Sequence, residues 1–340
     1  MTALLEELKQ IVGPKGLTTD PDVLQPHLVE WRGAYEGRAQ ALVSPATTAE
    51  VAGVVETCSR AGTAIVPQGG NTGLCGGAVP DESGEQVILS LQRMDRIRNV
   101  DPENFSIEVD AGCVLAAVQE AARLAGRFFP LSLSAEGTCQ IGGNLSTNAG
   151  GINVGRYGTA RNLVLGLEVV LASGEVMSSL RSLRKDTAGY DLKQLFIGSE
   201  GTLGIITAAT LRLFPDPGEL STALVGLSSP GAAVELLGTL RSRLDDRIES
   251  FELVSQRVLD LVVEHIPDTS LPFGDGYPWY VLTDTALRGD GRLLEEALME
   301  EAEDGRILDA IVAKNSGEAG RLWRLRHSCL LYTSDAADDN

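Results

Sequence analysis

The residues with most chemical content in this chain are glycines, because of where they crowd. From Pro67 to Pro80 it reads PQGGNTGLCGGAVP, placing Gly69, Gly70, Gly73, Gly76 and Gly77 in one short loop behind a β-type run. Glycine has no Cβ, so the backbone N–H groups of such a loop can turn inward and approach a ligand closely. Successive inward N–H groups form a nest suited to a pyrophosphate, and Asn71 and Thr72 add side-chain donors. A glycine-rich surface turn is the competing account of this loop taken alone. The loop has neither the GxxxxGK[ST] pattern nor a GxGxxG opening a helix, which disfavours a nicotinamide-type Rossmann site.

A second cluster, PLSLSAEGTCQIGGNLSTNAGGINVGRYG, occupies 130–158. Gly137, Gly142, Gly143, Gly150 and Gly151 alternate there with small hydroxyl and amide residues. Such a stretch can line a flat heterocycle with backbone donors and acceptors at little steric cost. A third piece, FIGSEGTLGII (196–206), sets Glu200, Gly201 and Gly204 just before a strand. Several such segments in one domain argue against simple surface turns. The other reactive side chains offer less. Cys58, Cys75, Cys113, Cys139 and Cys329 show no CxxC pair or metal spacing, which fits unpaired thiols in a reducing compartment. His27, His265 and His327 lie too far apart in sequence to propose a zinc site.

Positioning these loops requires a layered scaffold, and the sequence predicts one. A helix is expected over 47–62, with Thr47 and Glu50 as a capping box and Gly62 as its stop. Short strands follow at 63–66, 87–91 and 105–112, then a helix over 115–126 ending in glycine. The stretch 166–177 reads as two β-runs around Ser173-Gly174, and 201–215 as another strand. After Pro215 and Pro217 the strand-like runs STALVGL, ESFELV, WYVLTDTA and ILDAIVA alternate with three amphipathic helical stretches. A second α+β domain is therefore expected from about 218. The helix at 317–328 is followed by CLLYTSDAADDN, which loses all periodicity; residues 329–340 read as foreign to the fold.

The chain has 340 residues, of which 43% are hydrophobic, enough for two domains with real cores. No apolar run approaches membrane-spanning length. The first residues, MTALLEELKQ, read as a surface helix and not as a leader, so a cytoplasmic protein is expected. The formal net charge of −19 makes nucleic acid and anionic membrane surfaces poor partners.

Together the three glycine segments resemble the FAD-binding domain of the vanillyl-alcohol-oxidase (PCMH) type. PQGGNTGLCGG resembles that family's pyrophosphate loop, AEGTCQIGGNLSTNAGG its isoalloxazine and ribityl segment, and KDTAGYDLKQLFIGSEGTLGII its terminal signature. The wording is most similar to D-2-hydroxyglutarate dehydrogenases, with D-lactate dehydrogenases and the glycolate oxidase flavin subunit as near relatives. The resemblance covers about 20–328. It implies an α+β architecture: a two-subdomain FAD-binding domain over 1–217 (core about 38–217), followed by a partial ferredoxin-like cap domain over 218–328.

Carried over by residue, the resemblance puts Gly69, Gly70, Asn71, Thr72 and Gly73 at the pyrophosphate, with Pro67, Gly76 and Gly77 also among the cofactor-binding residues. Gly137, Thr138, Gly142, Gly143, Ser146, Asn148 and Gly150 would line the rest of FAD, and Glu200, Gly204 and Ile206 would meet its adenosine side. With no histidine between His27 and His265 to tether it, FAD is expected to be non-covalent. Arg326 matches an arginine that binds the substrate carboxylate, a role suited to a guanidinium fork; a solvent-exposed arginine near a helix end is the alternative. The family's metal ligands and proposed base lie beyond that helix, so no base and no metal site are expected within this chain, and a divalent metal such as zinc only in a full-length protein. The implied reaction is oxidation of a small D-2-hydroxy acid to the 2-keto acid, with an unidentified electron acceptor and a possible homodimer. Three alternatives stay open: an oxidase of alditols or aromatic alcohols, a flavin subunit that relays electrons in a complex, and an FAD-binding fragment without turnover.

Overall fold

The computed structural model describes residues 3–287 and 292–329. These divide into two compact units, one of residues up to Gly151 with Gly158–Asp216, the other of Ile152–Tyr157 with Pro217 onward.

The first unit opens with helix α1 (Ala3–Val12), strand β1 (Leu17–Thr18), helix α2 (Pro21–Leu28), β2 (Ala41–Val43), α3 (Thr48–Ala61), β3 (Ile65–Gln68) and β4 (Val87–Ser90). The four strands form a sheet in the order β1-β2-β4-β3, with β2, β4 and β3 parallel. Such parallel strands need covering helices, and α3 bridges β2 to β3. Its ends are set as the sequence predicts. Thr47 Oγ1 accepts from the Glu50 N–H at 3.2 Å, and Gly62 takes a left-handed φ of 67°. The Glu50 carboxylate reaches back to the Ala46 N–H, one residue earlier than a standard capping box.

The same unit continues through β5 (Ile97–Asp101), β6 (Ser106–Asp110), α4 (Leu115–Leu124), α5 (Ile141–Ser146), β7 (Val164–Leu171), β8 (Val176–Ser179) and β9 (Gly204–Arg212). These strands make a five-stranded antiparallel sheet in the order β5-β6-β9-β7-β8. The β7–β8 hairpin turns at Gly174, whose φ is 85°. Strand β9 is buried along almost its whole length, as a central strand should be.

A charged network is buried within this unit. Asp110 is fully buried and accepts from Arg96 Nε at 3.0 Å and Arg98 Nε at 2.5 Å, while Arg98 Nη2 lies 3.2 Å from Glu168. Glu168 also accepts from Thr48 Oγ1 at 2.7 Å and Thr207 Oγ1 at 3.0 Å. Burial alone would raise the Glu168 pKa, but the Thr48 hydroxyl and the Arg98 charge outweigh it and hold the carboxyl below the ordinary 4.5. Its folded pKa lies below its unfolded one, so its stabilisation is present above about pH 4.5 and fades as pH falls below that. Melting curves of Glu168→Gln should therefore show a smaller loss of Tm between pH 5 and pH 3 than the parent; equal losses would contradict this role.

The second unit builds a four-stranded antiparallel sheet from β10 (Leu220–Leu227), β11 (Ile248–Ser255), β12 (Trp279–Ala286) and β13 (Asp309–Val312), in the order β11-β12-β10-β13. Its main helices are α6 (Pro230–Leu244), α7 (Gln256–His265), α8 (Leu293–Glu303) and α9 (Ser316–Ser328). Alternation along β10 sends Ala223, Val225 and Leu227 to a core with α6 and α8, and Leu224 to a second core with α7 and α9. The predicted α+β alternation after Pro217 is thus present strand for strand. Cys329, read from sequence as the first foreign residue, is 5% exposed and packs in the core beneath α9. The rest of that predicted tail, 330–340, lies outside the described residues. The sequence boundary also missed 152–157, which associates with the second unit; Arg156 there ion-pairs with the buried Glu249.

Candidate functional site

The loop after β3 is held from its back. Gln68, 2% exposed, donates from Nε2 to the carbonyls of His27 (2.9 Å) and Ala78 (2.8 Å), closing the loop at its base, and its Oε1 meets His27 Nδ1. Asn71 sits at φ 50°, and its Nδ2 donates to the carbonyls of Val29 (2.9 Å) and Pro26 (3.3 Å) at the end of α2. That corrects the expectation that Asn71 offers side-chain donors to a ligand: both amide protons are engaged by the protein, and the residue shapes the loop. Among the described residues, no backbone N–H from Gly69 to Gly77 donates to a protein acceptor. Such a run of unsatisfied donors is what an anion nest needs.

The second segment docks by its backbone. Ile141 N–H donates to the Cys113 carbonyl at 2.9 Å and Gly142 N–H to the Ala111 carbonyl at 2.7 Å, fastening α5 to the end of β6. A Cβ on Gly142 would stand 2.8 Å from that of Ala111. The first loop crosses this segment so closely that a Cβ on Gly70 would lie 2.2 Å from the Thr138 carbonyl oxygen, and one on Gly69 would lie 3.6 Å from the Gly143 backbone. The third segment closes the arrangement. Gly198 N–H donates to the Leu145 carbonyl at 3.0 Å and Glu200 N–H to the Ser146 carbonyl at 2.9 Å. Gly201, at φ 78°, presses on Pro67, and Gly77 faces the Glu200 carboxylate.

All three glycine segments therefore meet in one place, and their non-glycine turns carry strain. Asn71, Asn148 and Glu200 have φ of 50°, 50° and 53°, one in each segment. Such residues persist only where surrounding structure fixes them. Asn148 Oδ1 accepts from the Arg161 N–H at 3.0 Å, so its side chain too serves the protein. Gly150 precedes Gly151, whose φ of 112° sets it against the Ser132 carbonyl. Gly76 packs on the Tyr35 ring, and the Thr138 hydroxyl, exposed, bonds back to the Ala135 carbonyl at 3.3 Å. Thr72 and Ser146 are half-buried. Gly204 is buried against Val169, and the Ile206 side chain is 2% exposed inside the sheet, which leaves its backbone as its means of touching a ligand.

Two glycines answer to nothing in the protein. Gly73 and Gly137 have no left-handed φ, and a Cβ on either would meet nothing within 4 Å. Sequence reasoning also missed Gln140. It begins α5, is 9% exposed, and its Oε1 is buried without a partner. Its only sequence signal is a polar residue set between Cys139 and Ile141. Open space beside Gly73 and Gly137, a run of free N–H groups and an orphaned amide oxygen fit a flat cofactor with a pyrophosphate. Gly73→Ala is accordingly expected to leave the Tm unchanged, within about 0.5 kcal/mol of stability. It should still weaken FAD binding by about tenfold or more, read by flavin fluorescence titration; unchanged affinity would remove FAD from that space.

Thiol chemistry is not supported at the buried cysteines, since burial pushes Cys58 up to about 11 and Cys113 up to about 12. In the second unit, Arg326 lies on α9 with Nε 2.7 Å and Nη2 2.6 Å from Glu252 Oε2. The neighbouring Arg324 donates to the Pro267 carbonyl at 2.9 Å. Among the described residues no helix is long and apolar enough to cross a membrane.

Comparison with known proteins gives the same reading of the first unit. The family model described as FAD binding domain matches 39–179, and that described as FAD linked oxidases, C-terminal domain, matches 217–339. The D-2-hydroxyglutarate dehydrogenase of Xanthomonas citri pv. viticola is 37% identical over 94% of this chain and 67% of its own length. The mitochondrial D-2-hydroxyglutarate dehydrogenase of Bos taurus is 39% identical over 95% of the chain and 59% of its own length. The chain thus spans 57–59% of the length of several curated relatives it matches. Among solved structures, an alkyldihydroxyacetonephosphate synthase superposes with a TM-score of 0.77 at 18% identity, covering 98% of this chain and 63% of that one. At that identity the likeness concerns the fold alone.

Proposed function

The chain belongs to the D-2-hydroxyglutarate dehydrogenase family of FAD-linked oxidases, and on that premise we propose that the protein oxidises a D-2-hydroxy acid to the 2-keto acid with non-covalent FAD as the primary oxidant. The observation that carries the cofactor half of this reading is the Gly69–Gly77 loop, whose N–H groups have no acceptors among the described residues. FAD supplies the acceptor for the two electrons and hydrogen removed from the substrate carbon. The protein's own contribution is to bind and orient: the loop takes the pyrophosphate, the α5 segment lines the ribityl chain and ring, and Gln140 offers a desolvated acceptor.

Substrate choice rests on the relatives and on Arg326. Its Nε and Nη2 both meet a single oxygen, Oε2 of Glu252, so a substrate carboxylate takes up this guanidinium only by displacing that contact. D-2-hydroxyglutarate is the first substrate to test, with D-lactate and glycolate as shorter members of the class. The test is anaerobic addition of each acid to the FAD-loaded protein, with the visible flavin band followed in time. Bleaching by D-2-hydroxyglutarate supports the reading. A band that persists with all three acids, in protein shown to hold FAD, means that this chain does not turn over the class by itself and favours the reading of an FAD-binding unit without turnover.

A further inference from the structure

One corner of the five-stranded sheet has positive charge that the protein leaves unanswered. Among the described residues ten other arginines ion-pair, Arg32, Arg60, Arg96, Arg98, Arg123, Arg156, Arg181, Arg243, Arg306 and Arg326, and others, such as Arg93 and Arg161, donate to carbonyl oxygens. Arg127, Arg184 and Arg212 make no ion pair among the described residues, in a chain whose net charge is −19. They gather around two phenylalanines. Arg127 and Arg184 hold their guanidiniums 4.1 and 5.3 Å from the centre of the Phe105 ring, and Arg212 lies 4.4 Å from that of Phe214.

The backbone fixes this corner. Leu213 N–H donates to the Phe105 carbonyl and Phe128 N–H to the Phe214 carbonyl, both at 2.8 Å, and Arg212 pairs with Ser106 across β6–β9. Asn104 Nδ2 reaches the Ser182 carbonyl at 3.3 Å, bringing the segment that carries Arg184 alongside. Phe105 itself has φ 54°, an uncommon conformation for a bulky residue that marks a spot over-determined by its surroundings. Of the acids near in sequence, Glu108 meets Arg98, Asp186 meets Arg181 and Asp101 accepts from the Asn104 N–H, while Glu103 is exposed.

Two buried polar atoms in this corner also lack partners, Arg212 Nε and Thr210 Oγ1, two residues apart on the same face of β9. Thr210 is only 3% exposed. Burial, with the Arg184 charge beside it, draws the Arg212 pKa below its ordinary value, a sign that the cluster as it stands is electrostatically strained. Stacking on a ring occupies the face of a guanidinium and not its N–H edge. Arg127 spends part of that edge on the Pro102 carbonyl (Nε, 2.7 Å) and the Gly126 carbonyl (Nη1, 2.8 Å), which leaves its Nη2 and the edges of Arg184 and Arg212 for a ligand.

We propose that Arg127, Arg184, Arg212 and Thr210 form a binding site for a small, multiply charged oxyanion, a phosphate or a dicarboxylate, separate from the FAD site. The anion supplies the negative charge that the protein omits at this corner, and its oxygens are the acceptors for the arginine edges and the Thr210 hydroxyl.

The test is calorimetric titration of the full FAD-loaded chain with inorganic phosphate, and separately with succinate, at constant ionic strength set by chloride. Loading FAD first fills the pyrophosphate loop, so that loop does not report. One saturable site is expected, weakened by about tenfold or more in Arg184→Gln and in Arg212→Gln. Arg184 is exposed, so its variant is expected to fold as the parent does. Phosphate binding without succinate binding identifies the phosphate class, and the reverse identifies the dicarboxylate class. Absence of saturable binding by either probe overturns the proposal, and so does binding that both variants retain unchanged.

Discussion

Gly70→Val is expected to give a protein that retains little or no FAD. The position has no left-handed φ to excuse its glycine; what forbids a side chain is the neighbouring backbone. A Cβ there would sit 2.2 Å from the Thr138 carbonyl oxygen, 2.9 Å from its carbon and 3.0 Å from the Cys139 Cα. None of these atoms ends a flexible side chain, so the Gly69–Gly77 loop and the α5 segment must separate by more than 1 Å to reach ordinary contact. Overpacking of this kind costs about 1–3 kcal/mol of stability, and a misplacement of about 1 Å between binding elements costs on the order of a hundredfold in function. Flavin content per folded chain, measured with the Tm, checks this. The contrast with Gly73→Ala is the informative one, since it alters the same loop with no protein neighbour in reach. Equal FAD retention by Gly70→Val and the parent would mean that the loop and α5 do not meet as described.

The second large effect is expected from Asp110→Ala. Asp110 is fully buried and is the shared acceptor of Arg96 and Arg98. Removing it leaves the partly buried Arg98 with only the more distant Glu108 and Glu168. Deleting one partner of a buried pair destabilises by about 3–5 kcal/mol; Arg96 is mostly exposed, so the low end applies. For a unit of this size that is a fall in Tm on the order of 10 °C. The loss also reaches the site, because the residues next along the chain, Ala111 and Cys113, accept the N–H groups that fasten α5. Thermal melting with and without added FAD measures both parts. A fall of less than about 1 kcal/mol, the range of surface ion pairs, would show that the network is not a structural keystone.

What the sequence made legible was local. Thr47 and Gly62 announced the ends of α3, Ser173-Gly174 the hairpin, and the alternating runs after Pro217 the second sheet, because caps, turns and period-two patterns are written in adjacent residues. The glycine segments were legible as candidate ligand-binding backbone for the same reason. Their mutual arrangement was not. Helix α5 forms over IGGNLS, a poor helical sequence, because Cys113 and Ala111 supply carbonyls from thirty residues away. Asn71 looked like a ligand donor until the end of α2 took its amide protons, and Gln140 gave no signal because its lack of a partner exists only in three dimensions. Strand β5, with its polar IRNVD, carries Arg98 to a buried acid that no spacing rule pairs with it. The glycines were recognisable by type, whereas the contacts that make them necessary are all long-range.

On the proposed reading, three separate glycine segments assemble a single non-covalent FAD site. The visible spectrum of the purified protein, before and after acid precipitation, tests it most directly. A flavin band is expected in the native protein, taken up from added FAD where it is purified empty, and released quantitatively to the supernatant on denaturation. A cooperatively melting protein that shows no flavin band and takes up no FAD would contradict it, and flavin that stays with the precipitate would contradict its non-covalent part.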